Sequence, residues 1–599
     1  MLKISIFRIF LISLIVIQIT LKGFASNFIL NTSSSFKVLS DTSFIEGKFI
    51  KSKKYLVYSD SIKIGINGHP LTQEAYLEAS LDSQVNLIKE LNLNYYRIDL
   101  VIDEVGNLQN EVRFQELVRK AKNKNIEILP VLINSGWEKE IKQQNSYLLG
   151  QKIGAKFALT YKSNIEYYEI GNEDDSKLMS AKDDGSLTEH YDLTKLKKLI
   201  NYYKGVIKGI KTEDKNAQII ISSSGWLHLG FFKLLEEANV NYDILGYHWY
   251  SDMGDLKNDR FNILDSLDKF NKPIWFTEIN RRNGSKEGAY TGNTSFKESE
   301  SKEVAQSQWI KRYIEQLCTK SNVRAIFIYE LFDEPAFDDS KGFEAPHEAY
   351  FGLVNWEKRY SQVQRKTAYF QLKAKNEEMH HGLQDFINMV FKNFKDRKPN
   401  SEEYKQILAD LHHKDFELVI KDLYKELVLK KLIVDKYKSL LNRDPELSEI
   451  KYWLNLYNDR DIIKNIILTI TLSDEFWNLV GNTNIGFIKI LYLTLQKREA
   501  DINGETYWMN FLEESSNKRF VVESLLESEE YIDNSIIYNF EKLISKEIDS
   551  SFLINKVHNN RKWFSEYRYI LDLVSSKYYW DKALRYGCEK RNNPFCYID

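Results

Sequence analysis

Cysteine is scarce, with three in 599 residues. No grouping of Cys, His and acidic residues has metal-ligand spacing, so neither a resident metal nor a cofactor is expected. Cys318 lies alone in an amphipathic stretch and reads as a buried thiol, whereas Cys588 and Cys596 bracket a short C-terminal loop. In an oxidising compartment that pair could form a disulfide that clamps the tail. Surplus charge of either sign is absent too. Lys plus Arg number 83 against 85 Asp plus Glu, which leaves no electrostatic footprint for nucleic acid or an anionic membrane. Long apolar runs are missing except at the start, where Lys3 and Arg8 flank or precede residues 9–19 and Gly23-Phe24-Ala25 supplies small residues for cleavage. Residues 1–25 therefore read as a secretory signal, too short in its apolar part for the about 20 residues of a spanning helix. No Cys follows that run, so lipid attachment there is excluded. The expected location is secreted, periplasmic or on the cell surface. A Gly-rich phosphate turn is also lacking, because Gly65-Ile66-Asn67-Gly68-His69-Pro70 does not have the G-x-G-x-x-G spacing of a dinucleotide-binding sheet.

What is present is ordinary globular composition, 43% hydrophobic and 28% charged, with 13% aromatic residues, and a length that calls for more than one core. After a polar lead-in at 26–60, short apolar runs alternate with amphipathic helical stretches eight times. The expected strands are 62–67, 95–99, 127–134, 165–172, 218–223, 244–250, 273–278 and 323–331. Helical patterns lie between them, as at 82–91 and 112–122. Eight such units within 61–375 fit a (β/α)8 TIM barrel, an α/β fold in which active groups stand at the carboxyl ends of the strands. Read that way, the ends carry Arg97 and Asp99, Asn134 and Trp137, Asn172 and Glu173, His248 and Tyr250, Glu278, and Tyr329, Glu330 and Phe332. The central stretch is Tyr167-Tyr168-Glu169-Ile170-Gly171-Asn172-Glu173, an apolar strand closing on Asn-Glu, and Pro273-Ile274-Trp275-Phe276-Thr277-Glu278 closes on a second Glu. Two carboxylates so placed are what glycoside hydrolysis needs: one protonates the leaving oxygen and one attacks or activates water.

Arg at the end of strand 2, Asn-Glu at strand 4, His-x-Tyr at strand 6 and Glu at strand 7 resemble the clan A glycoside hydrolases, retaining barrel enzymes that include families 5 and 39. The resemblance covers roughly residues 60 to 375. Glu330-Leu331-Phe332-Asp333-Glu334-Pro335, followed by Tyr350-Phe351-Gly352, leans toward the family 39-like branch. The resemblance implies that Glu173 is the acid/base and Glu278 the nucleophile. By the same resemblance Asn172 binds the sugar 2-hydroxyl, and Tyr250 and Arg97 hold Glu278 ionised. His248 is a positioning group, and Asn134, Trp137, Tyr329 and Phe332 complete the set of substrate-binding candidates. Tyr329 or Phe332 stands in for the tryptophan floor that many clan members carry on strand 8. Of Trp137, Trp226 and Trp249, two of the three are expected to pack in the core. A carbohydrate partner follows from this reading. A non-catalytic carbohydrate-binding barrel and a transglycosylase are its rivals.

Beyond 376 the pattern turns wholly helical and repeats itself. Arg443 precedes Trp453 and Phe476 at the spacings with which Arg498 precedes Trp508 and Tyr531. Register without gaps means one helical unit used twice. A degenerate third copy opens at Phe394-Lys395-Asp396-Arg397, with Ile407 where the Trp would stand. These copies resemble the domain of unknown function numbered 4214. The module is expected over 376–545, with a helical tail and the candidate disulfide over 546–599. The arginines are expected to bridge an acid or a helix end, the tryptophans to pack, and the module to offer a surface for polysaccharide or cell-surface contact.

Overall fold

The computed structural model describes residues 62–591, apart from 140–142, 181, 283–301, 321, 338–348, 356–363, 414–415, 457–460, 545–563 and 575. The signal segment, the lead-in, Cys596 and the side chain of Cys588 lie outside the described residues. Among those described, the chain divides into two compact units between Leu383 and Gln384.

In the first unit eight parallel strands close into a barrel in sequence order: β1 (Lys63–Gly68), β2 (Tyr95–Val101), β3 (Glu127–Ile133), β4 (Tyr167–Ile170), β5 (Gln218–Ser223), β6 (Ile244–Tyr250), β7 (Ile274–Asn280) and β8 (Val323–Ile328). β6 and β7 are buried at every position, because a barrel strand faces side chains within and helices without. One end of the interior is filled by Tyr95, Leu129, Ile220, Ile244, Trp275, Ala325 and Phe327. Trp275 and Phe327 stack at 5.8 Å. Gly65 makes room for them, since a Cβ there would stand 2.4 Å from the Phe327 ring. Burying each of these rings contributes roughly 2–3 kcal/mol. The other end, where the strands finish, is polar.

β4 is shorter than the expected 165–172. Gly171, at φ +74°, turns the chain straight after Ile170, and a side chain there would collide with Asp174 and the Tyr203 hydroxyl. The unit also runs further than 375. The helix Thr367–Glu377 is bound to the barrel by Tyr369, whose hydroxyl donates to the Leu87 carbonyl at 3.0 Å, and by Asn376, whose Nδ2 donates to the Leu91 and Asn92 carbonyls. Its buried Lys375 pairs with Glu315 and Glu378, each at 2.5 Å.

The second unit is helical throughout its described residues, and three copies of one device are visible. Arg443 bridges Glu449 at 2.9 Å and Glu475 at 2.5 Å. Arg498 bridges Asp501 and Glu530 at 3.1 and 2.5 Å. Arg397 forks onto both oxygens of Glu403 at 2.7 Å. Glu403 and Glu449 each also accept from the backbone N–H three residues earlier, which closes the helix start as a capping box. Trp453 and Trp508 are buried, and Ile407 is buried in their place in the first copy.

Candidate active site

Arg97, on β2, organises the polar end of the barrel. It is 1% exposed, and all five of its N–H donors are used. Nε and Nη2 fork onto the two oxygens of Glu169, Nη2 also reaches Asn172 Oδ1, and Nη1 reaches Asn67 Oδ1 and Glu278 Oε1, every distance being 2.7 Å. Because a guanidinium only donates, Asn172 must present its oxygen to Arg97, which turns its amide nitrogen the other way. Glu278, on β7, is 5% exposed and takes a second donor, the Tyr250 hydroxyl, at 2.5 Å on Oε2. Burial alone would raise its pKa. The charges of His248 and Arg97 and the Tyr250 hydrogen bond outweigh that and hold it below the usual glutamate value.

Glu173 stands on the turn that Gly171 opens, itself in the left-handed region at φ +51°. Such a conformation in a residue other than glycine is the kind of local cost kept where a side chain must be aimed. Its side chain is 36% exposed, against 7% for that of Glu278. His248 Nδ1 lies 2.7 Å from Glu173 and 3.3 Å from Glu278. Burial lowers the pKa of this imidazole, but the charge of Glu278 and the bond to Glu173 raise it above the ordinary histidine value. The turn is braced from below. Asp175 accepts from the Ser223 and Ser224 hydroxyls and the Ser224 N–H, and it meets His228 Nδ1 at 2.6 Å. Ser224 Oγ also meets Nδ1, so this Asp, His and Ser share one ring nitrogen and do not form a relay through the ring.

Among the described residues, Glu173, His248 and Glu278 are the group whose ligand atoms, all within 4.8 Å of one another, could hold a metal ion. The donors already on Glu278 do not fit a cation, which would face the fixed charge of Arg97. The set suits proton transfer by one carboxylate and nucleophilic attack by the other.

A second cluster lies beside the first. His69 Nδ1 pairs with Asp99 at 3.0 Å, and its Nε2 meets the Tyr329 hydroxyl at 3.1 Å and Glu330 at 3.4 Å. Burial would lower the imidazole pKa, but Asp99 lifts it to about 9. Glu330 is fully buried and accepts from the Tyr76 hydroxyl at 2.8 Å; desolvation raises it to about 8, so near neutrality it is a neutral acid beside a charged histidine.

The sequence reading is met unevenly. The structure brings Arg97, Asn172, Glu173, His248, Tyr250 and Glu278 together, with Tyr329 at their edge. It does not bring the other three. Asn134 spends its amide on backbone, donating to the Ile102 carbonyl and accepting from the Gly136 N–H to start the turn Ser135–Glu138. Trp137 is 1% exposed beneath Lys177, and Phe332 is fully buried against Tyr76 at 4.9 Å. Neither offers a face to a sugar. Trp249 is buried as well, whereas Trp226, just beyond β5, is 45% exposed. Glu169 and Asn67 were missed as site residues. Their signal was a lone acid and a lone amide inside strands that are otherwise apolar.

This is the site of a glycoside hydrolase: the model of Glycosyl hydrolase family 53 matches residues 153–380, which span β4 to β8 and the turn that carries Glu173. The clan A resemblance stands, and the family so matched is 53, where the strand 8 wording leaned toward 39. A second model, the domain of unknown function DUF4214, matches residues 467–535 of the helical unit. No curated protein matches the chain. Similar solved structures include the family 53 catalytic domain of Ignisphaera aggregans (15% identity, 53% of this chain and 96% of that one, TM-score 0.38). Xylanase 10B of Thermotoga petrophila is also similar (15%, 56% and 98%, TM-score 0.38), as is a β-glucosidase of Thermotoga maritima (10%, 53% and 98%, TM-score 0.39).

Proposed function

We propose that the protein is an exported retaining glycosidase that cleaves O-glycosidic bonds of a poly- or oligosaccharide by double displacement, with Glu278 as nucleophile and Glu173 as acid/base. The observation that carries this is the asymmetric pair: two carboxylates with oxygens within 4.8 Å, one buried under Arg97 and Tyr250, the other open to solvent beside His248. A retaining mechanism places its carboxyl groups about 5 Å apart, whereas an inverting one leaves about 6.5–9.5 Å for a water. In the first step Glu278 attacks the anomeric carbon while the bond to the leaving oxygen breaks and Glu173 delivers its proton to that oxygen. In the second step Glu173 takes a proton from water, the water oxygen attacks the same carbon, and Glu278 departs as carboxylate. Arg97 and Tyr250 favour the ionised nucleophile before the first step and after the second, and His248 holds Glu173 in line. Asn172, its oxygen fixed by Arg97, turns an N–H donor toward a sugar hydroxyl. Trp226 supplies the exposed ring expected of a sugar platform.

Export is supported by the basic residues, apolar run and small residues within 1–25. The anomeric course of the reaction tests the mechanism. Proton NMR of a hydrolysis in progress should show the first-formed product with the configuration of the substrate; first appearance of the opposite anomer would mean an inverting enzyme.

A further inference from the structure

The helical unit contains a cavity of about 540 Å³, walled by the helices Phe416–Leu441, Glu529–Leu543 and Glu566–Val574 and the turn Tyr492–Gln496. That volume falls in the ~300–1,000 Å³ of small-molecule sites. Its charge is unbalanced. Lys431 and Lys542 share Asp435, at 3.3 and 3.8 Å, and Lys436 pairs with the buried Glu566 at 2.8 Å. Lys438, also on the wall, pairs with Asp444 at 3.1 Å, and the fifth amine, the exposed Lys497, has no ion pair among the described residues. The protein around it and the charge of Lys436 hold its pKa below the usual lysine value, as expected of a cation that would gain from an anion.

Comparison of the copies singles out the same residue. The position before each bridging arginine is left-handed in all three: Asp396 at φ +53°, Asn442 at +52° and Lys497 at +61°. Asp and Asn suit that conformation, while lysine pays about 1–2 kcal/mol for it. The third copy thus gives up a local preference to place an amine at this cavity, and departures of that kind mark functional positions. Beside it Tyr538 is 58% exposed, with Lys542 5.4 Å over its ring, and Asn534 and Ser535 add polar groups to the wall. An open aromatic face next to surplus ammonium groups, in a chain whose other unit is a glycoside hydrolase, fits a sugar that carries an anion.

We propose that this cavity binds a negatively charged segment of a glycan, with Lys497 as the anion contact and Tyr538 as the ring platform. The site is independent of the barrel's mechanism.

The test is calorimetric titration of the full chain, carrying Glu278→Gln to prevent turnover, with four probes: an oligouronate, a phosphate-bearing oligosaccharide, a neutral oligosaccharide of equal length, and inorganic phosphate. One or both charged oligosaccharides should bind, the tighter one naming the anion. Lys497→Asn, which installs the residue of the sister copy and should leave the melting temperature equal or higher, should weaken that binding about tenfold or more, the loss of a charge-assisted contact. Tyr538→Ala should weaken the oligosaccharides and spare phosphate. Equal binding of the neutral glycan, indifference to Lys497→Asn, or inorganic phosphate binding as tightly as any glycan, an adventitious ion only, would each overturn the proposal.

Discussion

Arg97 is the residue on which the site depends, since one buried guanidinium neutralises part of two buried carboxylates and orients two amides. Removing it leaves the buried Glu169 without its cation and Glu278 with His248 alone. Arg97→Met is therefore expected to cost about 3–5 kcal/mol, the penalty of an uncompensated buried charge, together with most of the activity. A denaturant titration measures it, and unchanged stability would show that the cluster is not held as described. Glu330 makes a prediction of opposite kind. Its carboxyl is raised from 4.5 to about 8, so between those values the folded chain keeps a proton that the unfolded chain releases. Stability must therefore fall as pH rises through that window. His69, raised from 6.5 to about 9, acts in the same sense: its contribution is complete below 6.5 and is lost as pH rises through about 9. Glu330→Gln should flatten the first part of the decline in melting temperature against pH, and an unaltered slope would place the titration elsewhere. The residues legible in the sequence were those at strand ends. Glu169 escaped because it lies within β4, where position along the strand does not announce a role. Asn134 and Trp137 misled because a strand end does not reveal whether a side chain is spent on capping the backbone or on packing.

At the scale of elements, strand positions followed from apolar runs to within a few residues; β8 ended three residues before the expected 331, and β4 was two residues short at each end, its end cut by the turn at Gly171. Less legible was how closely the helices Gln143–Tyr161 and Leu193–Glu213 approach each other. Gly150 and Gly154 on one face Gly205 and Gly209 on the other. A Cβ on Gly205 would stand 2.0 Å from the Tyr147 carbonyl oxygen, and one on Gly154 2.3 Å from that of Val206. The four-residue spacing is plain in the sequence, but the pairing partner is not, because it depends on which helices the barrel makes neighbours. Since backbone atoms are what a methyl would strike, Gly205→Ala should destabilise the barrel by about 1–3 kcal/mol through overpacking. Thermal unfolding checks this, and a variant as stable as the parent would mean that the helices can separate freely.

At the scale of the molecule, the two kinds of structure were readable from the change of period near residue 376, from strands with helices to helices alone. The boundary itself fell later because Tyr369 and Asn376 fasten one more helix to the barrel. The repeat was readable because an arginine that must reach a helix start and an acid 32 residues on tolerates no insertion between them. The cavity was not, since its charge comes from four separate segments. The central claim is that Glu278 becomes covalently attached to sugar. It is tested most directly by intact mass measurement after incubation with a panel of activated 2-deoxy-2-fluoro glycosides, the protein beside its Glu278→Gln variant. The account predicts an increment of one fluorosugar on the parent chain, located on the peptide that holds Glu278, and none on the variant. An increment that persists in the variant, or none on the folded parent with any member of the panel, would contradict it.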